Sequence, residues 1–238
     1  MKYKIWKQKH IKIKLGDNKE IKRLEIINKI MGKNTKYFVD ANGSWDLNKL
    51  EKYQNYLTEK KIVSFEQPFS KNVLLNVYKY KNHISFNNEN EEYFYDNRLS
   101  IIADESFCNF FELKKLIDNK YIKLINIRLP KCGGIIISNM LANYARINNL
   151  DFIIGGMVGE TNLLISAARS LGFLNPNFQY FIGLGKSLYL KEQPFFDKIT
   201  FKKNGNYEIM SNHNGFGCNF NNKILEKYLV QKKEIIIL

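Results

Sequence analysis

Three acids stand where apolar runs end: Asp40 closes YFVD, Glu66 closes IVSFE and Asp104 closes LSIIAD. Two lysines, Lys12 and Lys14, lie two positions apart in a further run, HIKIKLG. Carboxylates from three successive strands can converge on one hard cation, and oxygen donors with room left for substrate suit Mg²⁺. A dication beside a substrate carboxylate would stabilise the enediolate left when the α-proton is removed. The base for that step would be a lysine, and Lys14 qualifies, because a lysine beside a second ammonium and a dication releases its proton more readily. Each residue also has a plainer use. An acid at a strand end can cap the following helix, and paired lysines can blunt an edge strand.

Which interpretation holds depends on the elements that carry these residues. Seven β-rich runs follow one another: His10–Gly16, Tyr37–Gly43, Ile62–Phe69, Leu99–Ser106, Leu124–Lys131, Leu150–Met157 and Phe178–Gly185. Between them lie stretches such as NKEIKRLEIINKIM, DLNKLEKYQNYLTEKK and ISNMLANYARINN, whose apolar residues recur at helical spacing. Strands alternating with helices imply parallel pairing through crossover helices. The step from Lys14 to Asp40 is 26 residues, and so is the step from Asp40 to Glu66. Glu66 to Asp104 is longer, at 38, and contains KYKNHISFNNENEEYFYDN, which is expected to be a polar loop insertion at about 71–97. Repeated units of this length predict a (β/α) barrel of the TIM type, whose active site forms at the C-terminal ends of the strands. The acids fall at those ends. Lys12 and Lys14 share one face of their strand, and Ile11, Ile13 and Leu15 share the other.

Composition narrows the function classes. The 238 residues are 45% hydrophobic, enough for a buried core. The formal charge is +14, but the lysines are scattered and form no aromatic-interleaved block, so no nucleic-acid partner is expected. Cys108, Cys132 and Cys218 include no CxxC pair, which fits a reducing compartment better than a disulfide framework. No apolar run approaches the ~18 residues a membrane span needs, and the basic N-terminus lacks a signal-peptide core. A soluble cytoplasmic protein without a membrane partner is the expectation.

Taken in order, KIKLG, VDANGSW, FEQPF, ADES, LPKCGGI and GGMVGET resemble the barrel domain of the enolase superfamily. Within it they are most similar to the muconate cycloisomerase subgroup, which includes dipeptide epimerases. The likeness runs from about Ile11 to about Leu229 and makes 1–238 one barrel domain, with a C-terminal return segment at about 211–238. The resemblance implies that Asp40, Glu66 and Asp104 are Mg²⁺ ligands, that Lys14 is the catalytic base and that Lys12 is its electrostatic partner. It also implies supporting or substrate-facing roles for Asn42, Gln67, Glu105, Gly155 and Glu160.

The pattern departs from the family in three places. Arg128 in INIRLPK stands where the family usually has a second catalytic lysine. Arginine stays protonated and suits a carboxylate clamp better than a base. This favours one-base elimination or cycloisomerisation over epimerisation, unless Lys131 swings in. The last strand, FQYFIGLGKSL, lacks the acidic pair with which dipeptide epimerases hold an ammonium. Finally, the N-terminal capping domain and first barrel strand are not in the sequence. The chain is therefore expected to act on a small carboxylic acid with a partner chain supplying the missing part, or as a homo-oligomer. The alternative is a truncated, non-catalytic barrel remnant serving as a binding protein.

Overall fold

The computed structural model describes residues 10–31, 35–59, 62–76, 79, 100–119, 122–182, 190–197 and 215–230. Seven strands form one sheet in chain order: β1 (His10–Lys14), β2 (Lys36–Asp40), β3 (Ile62–Glu66), β4 (Ser100–Ala103), β5 (Ile122–Ile127), β6 (Asp151–Gly155) and β7 (Phe181–Ile182). Every neighbouring pair is parallel. Parallel strands need crossovers, and helices supply them: α1 (Glu20–Met31), α2 (Leu47–Glu59), α3 (Lys71–Leu75), α4 (Phe110–Ile117), α5 (Gly134–Ile147) and α6 (Asn162–Leu174). A hairpin of β8 (Phe195–Asp197) and β9 (Cys218–Phe220) and a last helix, α7 (Asn222–Lys227), complete the described fold.

Alternation along the strands divides the apolar residues into two cores. Ile13, Val39, Phe65, Ile101, Ala103, Ile125, Ile127 and Ile154 point outward and pack beneath the helices in one continuous core. Phe38, Ile102, Leu124 and Ile153 point the other way and form a separate inner cluster with Tyr180 and Ile182. The sheet is therefore curled. Its inner face is filled by side chains from alternate positions of several strands, as in a barrel. The rings of His10, on β1, and Tyr180, just before β7, lie 5.4 Å apart, so the first and last strands face each other across the sheet's open side. Among the described residues these two edge strands do not pair, and the structure is an incomplete parallel barrel wrapped by helices.

The stretch expected to be a polar loop from about 71 opens instead on α3, because Leu74 and Leu75 are buried against the helical layer. The remainder of that insertion around 82–97 lies outside the described residues. The expected return segment is described over 215–230, where β9 pairs with β8 and Cys218 Sγ approaches Ser166 Oγ of α6 at 3.1 Å.

Candidate active site

The inner face of each strand changes character along its length. In β2 the inward residues are Phe38 and then Asp40; in β3, Ser64 and then Glu66. Past β4 Ile102 is followed by Asp104, and β5 runs from Leu124 through Asn126 towards Arg128. The register aligns these ends. Lys14 pairs with Asp40 and Asp40 with Glu66 across β1, β2 and β3. A period of two and a parallel register are thus enough to gather the charged residues above the inner apolar cluster.

Asp40, Glu66 and Asp104 are all fully buried, and burying a carboxylate is costly unless it is paired. Each is paired. Lys12 Nζ lies 2.9 Å from Asp40 Oδ2 and 2.7 Å from Glu66 Oε2, bridging the first two. Lys14 Nζ reaches the same Asp40 oxygen at 2.6 Å. Arg128 Nη2 bridges the second pair, approaching Glu66 Oε1 at 3.3 Å and contacting Asp104 Oδ2. Lys131 Nζ donates to Asp104 Oδ1 at 2.7 Å and to the carbonyls of Asp104 and Asn126 at 2.6 and 2.8 Å. The result is a row of three carboxylates interleaved with four cations, with Lys14 at the β1 end and Lys131 at the β5 end.

A set of polar residues holds this row in place. Asn42, left-handed at φ 46°, accepts from Lys14 Nζ at 2.6 Å and donates to Glu105 Oε1 at 2.8 Å, and its backbone N–H donates to Asp40 Oδ1 at 2.9 Å. Gln67 fastens the end of β3 to the end of β4. Its Oε1 accepts from the Asp104 and Ser106 N–H groups at 3.0 and 3.2 Å, and its Nε2 donates to Ser106 Oγ and the Phe69 carbonyl at 2.6 and 2.8 Å. The side chain of Asn126 donates to Glu66 Oε1 at 3.0 Å. Gly155 leaves room for that amide, since a Cβ there would lie 2.2 Å from Asn126 Oδ1. Glu160 is buried beyond β6, and its Oε1 accepts from the Met157 N–H at 2.6 Å.

Asn126 and Ser106 also belong to this set, though neither is among the site residues expected from the sequence. Asn126 was detectable, since it lies two positions before Arg128 and so on the same strand face. Ser106 carries no comparable signal, because its role depends on the loop after β4 folding back onto Gln67.

The surroundings tune the charges. Burial alone would raise the Asp40 carboxyl, but the Lys12 charge and the hydrogen bonds from Lys14, Lys12 and the Asn42 N–H outweigh it and hold the group below the usual carboxylate value. Lys131 is lowered to about 8, chiefly by burial and further by the Arg128 charge, while Cys132, Cys108 and Glu105 pull the other way. Burial also raises the Glu160 carboxyl, against the Met157 N–H and the Arg128 charge.

The donor set suits a hard divalent cation: three buried carboxylates, oxygen ligands only, on neighbouring strand ends. Among the described residues no three acidic, His or Cys side chains form a preassembled metal cage. The carboxylates turn to lysine and arginine instead, so a metal would have to displace cations to bind. No helix among the described residues is long and apolar enough to cross a membrane.

A parallel barrel with carboxylates and lysines at the C-terminal strand ends defines a class of protein: a (β/α) barrel whose site lies at the mouth. The chain belongs to the enolase C-terminal domain-like family, whose model matches residues 4–224, and hence to the enolase superfamily and its mandelate racemase/muconate lactonizing subgroup. It is 24% identical over 201 residues to the D-Ala-D/L-Ala epimerase of Cytophaga hutchinsonii, covering 84% of this chain and 50% of that protein. It is 26% identical over 222 residues to the L-Ala-D/L-Glu epimerase of Francisella tularensis subsp. novicida, covering 88% and 55%.

Solved structures share the fold. The dipeptide epimerase from Cytophaga hutchinsonii, complexed with Mg and the dipeptide D-Ala-L-Val, superposes with a TM-score of 0.77 at 23% identity, covering 92% of this chain and 56% of that one. Muconate lactonizing enzyme from Pseudomonas putida gives 0.78 at 18% identity, covering 94% and 59%. The chain thus spans about half the length of the curated relatives it matches.

Proposed function

We propose that this chain carries the proton-transfer site of a Mg²⁺-dependent enzyme that removes a proton α to a carboxylate. The observation that carries this reading is the row of buried carboxylates at adjacent strand ends, with a lysine at each end of the row. Asp40, Glu66 and Asp104 would hold the metal, which when bound supplies positive charge for the substrate carboxylate as the α-proton leaves.

The chain's own groups do the rest. Lys14 Nζ takes the α-proton, with Asn42 fixing the ammonium through its side-chain oxygen. Lys12 keeps Asp40 and Glu66 together. Arg128 acts as a carboxylate clamp. Lys131, lowered to about 8, can gain or lose a proton near neutrality. It occupies the side of the row opposite Lys14, which supports two-base epimerisation over a one-base route. Lys131 thus offers the second base that Arg128 cannot be.

Small dipeptides are the first substrates to try, because the similar proteins are dipeptide epimerases. Among the described residues β1 and β7 do not pair, which leaves edges where a further strand could add; a strand and cap from another chain and a homo-oligomer are the arrangements to examine. A second reading, a non-catalytic barrel remnant that binds a partner, is favoured by one observation: Arg128 stands where the second family lysine is expected.

The test is deuterium incorporation at the α-carbon of L-Ala-containing dipeptides in D₂O with Mg²⁺, using the chain alone and with candidate capping chains. Exchange that disappears in Lys14→Ala supports the enzyme. Exchange unaffected by that substitution would remove Lys14 from the chemistry, and no exchange under any pairing would favour the remnant.

A further inference from the structure

Arg128 has features that a fixed clamp does not need. Its guanidinium uses Nη2 for Glu66 and Asp104, two of the proposed metal ligands. Its Nη1 points the other way, to Met157 Sδ at 3.5 Å, a soft and weak acceptor. Its Nε is buried with no hydrogen-bond partner. On the Met157 side lies Glu160, 7% exposed, whose Oε1 is held by the Met157 N–H while Oε2 is buried and unpartnered. The guanidinium and the carboxyl thus meet on Met157, Arg128 through Nη1 at Sδ and Glu160 through Oε1 at the N–H, and each keeps a further buried polar atom, Nε and Oε2, without a partner. Buried polar groups left in this state are rare, and a second arrangement that joins them would relieve both.

We propose that Arg128 is a displaceable counter-ion: it bridges Glu66 and Asp104 until a divalent cation takes those carboxylates, and then moves onto Glu160. This rests on the assignment of Glu66 and Asp104 as metal ligands. Lysine could not serve as well: an ammonium can bridge two carboxylates, as Lys12 does, but it has no second nitrogen such as the Nη1 that Arg128 presents on the Met157 side while Nη2 holds Glu66 and Asp104. In this scheme Glu160 is a positioning residue for the arginine. It makes metal binding favourable by receiving the cation that the metal expels.

The experiment is a double-mutant cycle in Mg²⁺ affinity, measured by isothermal titration calorimetry on the full chain and on Arg128→Gln, Glu160→Gln and the double variant. Arg128→Gln should tighten Mg²⁺ binding, because the competitor is gone. Glu160→Gln should weaken binding about tenfold in the parent chain and by less than about twofold when Arg128 is already glutamine, a coupling within the usual range for contacting residues. Equal weakening in both backgrounds would mean that Glu160 acts only as a distant charge, and would overturn the displacement while leaving the metal site standing. Failure of the parent chain and every folded variant to bind Mg²⁺ would overturn the metal reading itself. Should Arg128→Gln not fold, Arg128→Lys keeps the charge but not the fork, and the coupling to Glu160 should still shrink.

Discussion

Asp40 and Glu66 sit in register on neighbouring parallel strands and share one ammonium, Lys12 Nζ, at 2.9 and 2.7 Å. Neither acid has access to water. Two buried carboxylates that close would repel each other without the lysine, so Lys12 is as much a part of the folded strand ends as the apolar residues below it.

Replacing Lys12 by Met should therefore destabilise the chain by about 3 kcal/mol, near the lower end of the range for breaking a buried ion pair. Urea unfolding measures it. Millimolar Mg²⁺ should restore more stability to this variant than to the parent, since a metal can take over the missing charge. A loss no greater than that of a surface substitution would show that the two carboxylates do not depend on this lysine.

Lys131 gives a pH signature. Its folded value, about 8, lies below that of a free lysine, so between these values the unfolded chain binds the extra proton. Stability should then rise with pH from about 8 to about 10.4, by roughly 3 kcal/mol in all. Lys131→Met should lack that rise. The quantity to compare is the difference between the two proteins' unfolding free energies across this window, which cancels the other titrating groups.

Gly155 is set by its neighbour. A methyl group there would collide with the Asn126 amide, and moving that amide would break its bond to Glu66. Gly155→Ala should cost about 1–3 kcal/mol, the usual cost of overpacking. Asn126→Ala should recover part of this loss in the double variant, because it empties the space the new methyl needs. Thermal unfolding of the two single variants and the double variant decides it.

Much of this arrangement was legible in the sequence because it depends on short-range periodicity. HIKIK alternates strictly, so Lys12 and Lys14 share a face by counting; YFVD is an unbroken apolar run closed by Asp40, whose face follows from the period of two once the strand is placed, and β1 ends at Lys14 as the run implies. The ordered motifs supplied the family and the barrel. Other features were set by tertiary packing. KNVLL is too short to display a helical period, yet Leu74 and Leu75 find a buried site and α3 forms. Lys131 lies past a proline in what reads as a loop. The turn after β5, where its N–H and that of Cys132 both donate to the Arg128 carbonyl, carries it back to Asp104. That reversal has no sequence signature. The Gln67 clamp likewise requires two loops to meet, although its neighbours FEQPF placed it near the site.

Asp40, Glu66 and Asp104 are proposed to form one metal site, and Mg²⁺ titration calorimetry on the parent chain beside Asp40→Asn decides whether they do. Saturable one-to-one binding is expected in the parent, and its loss, or a weakening of at least about a hundredfold, in the variant, as for removal of a ligand or its close support. Binding of equal strength in both proteins, or none by a folded parent chain, would contradict it.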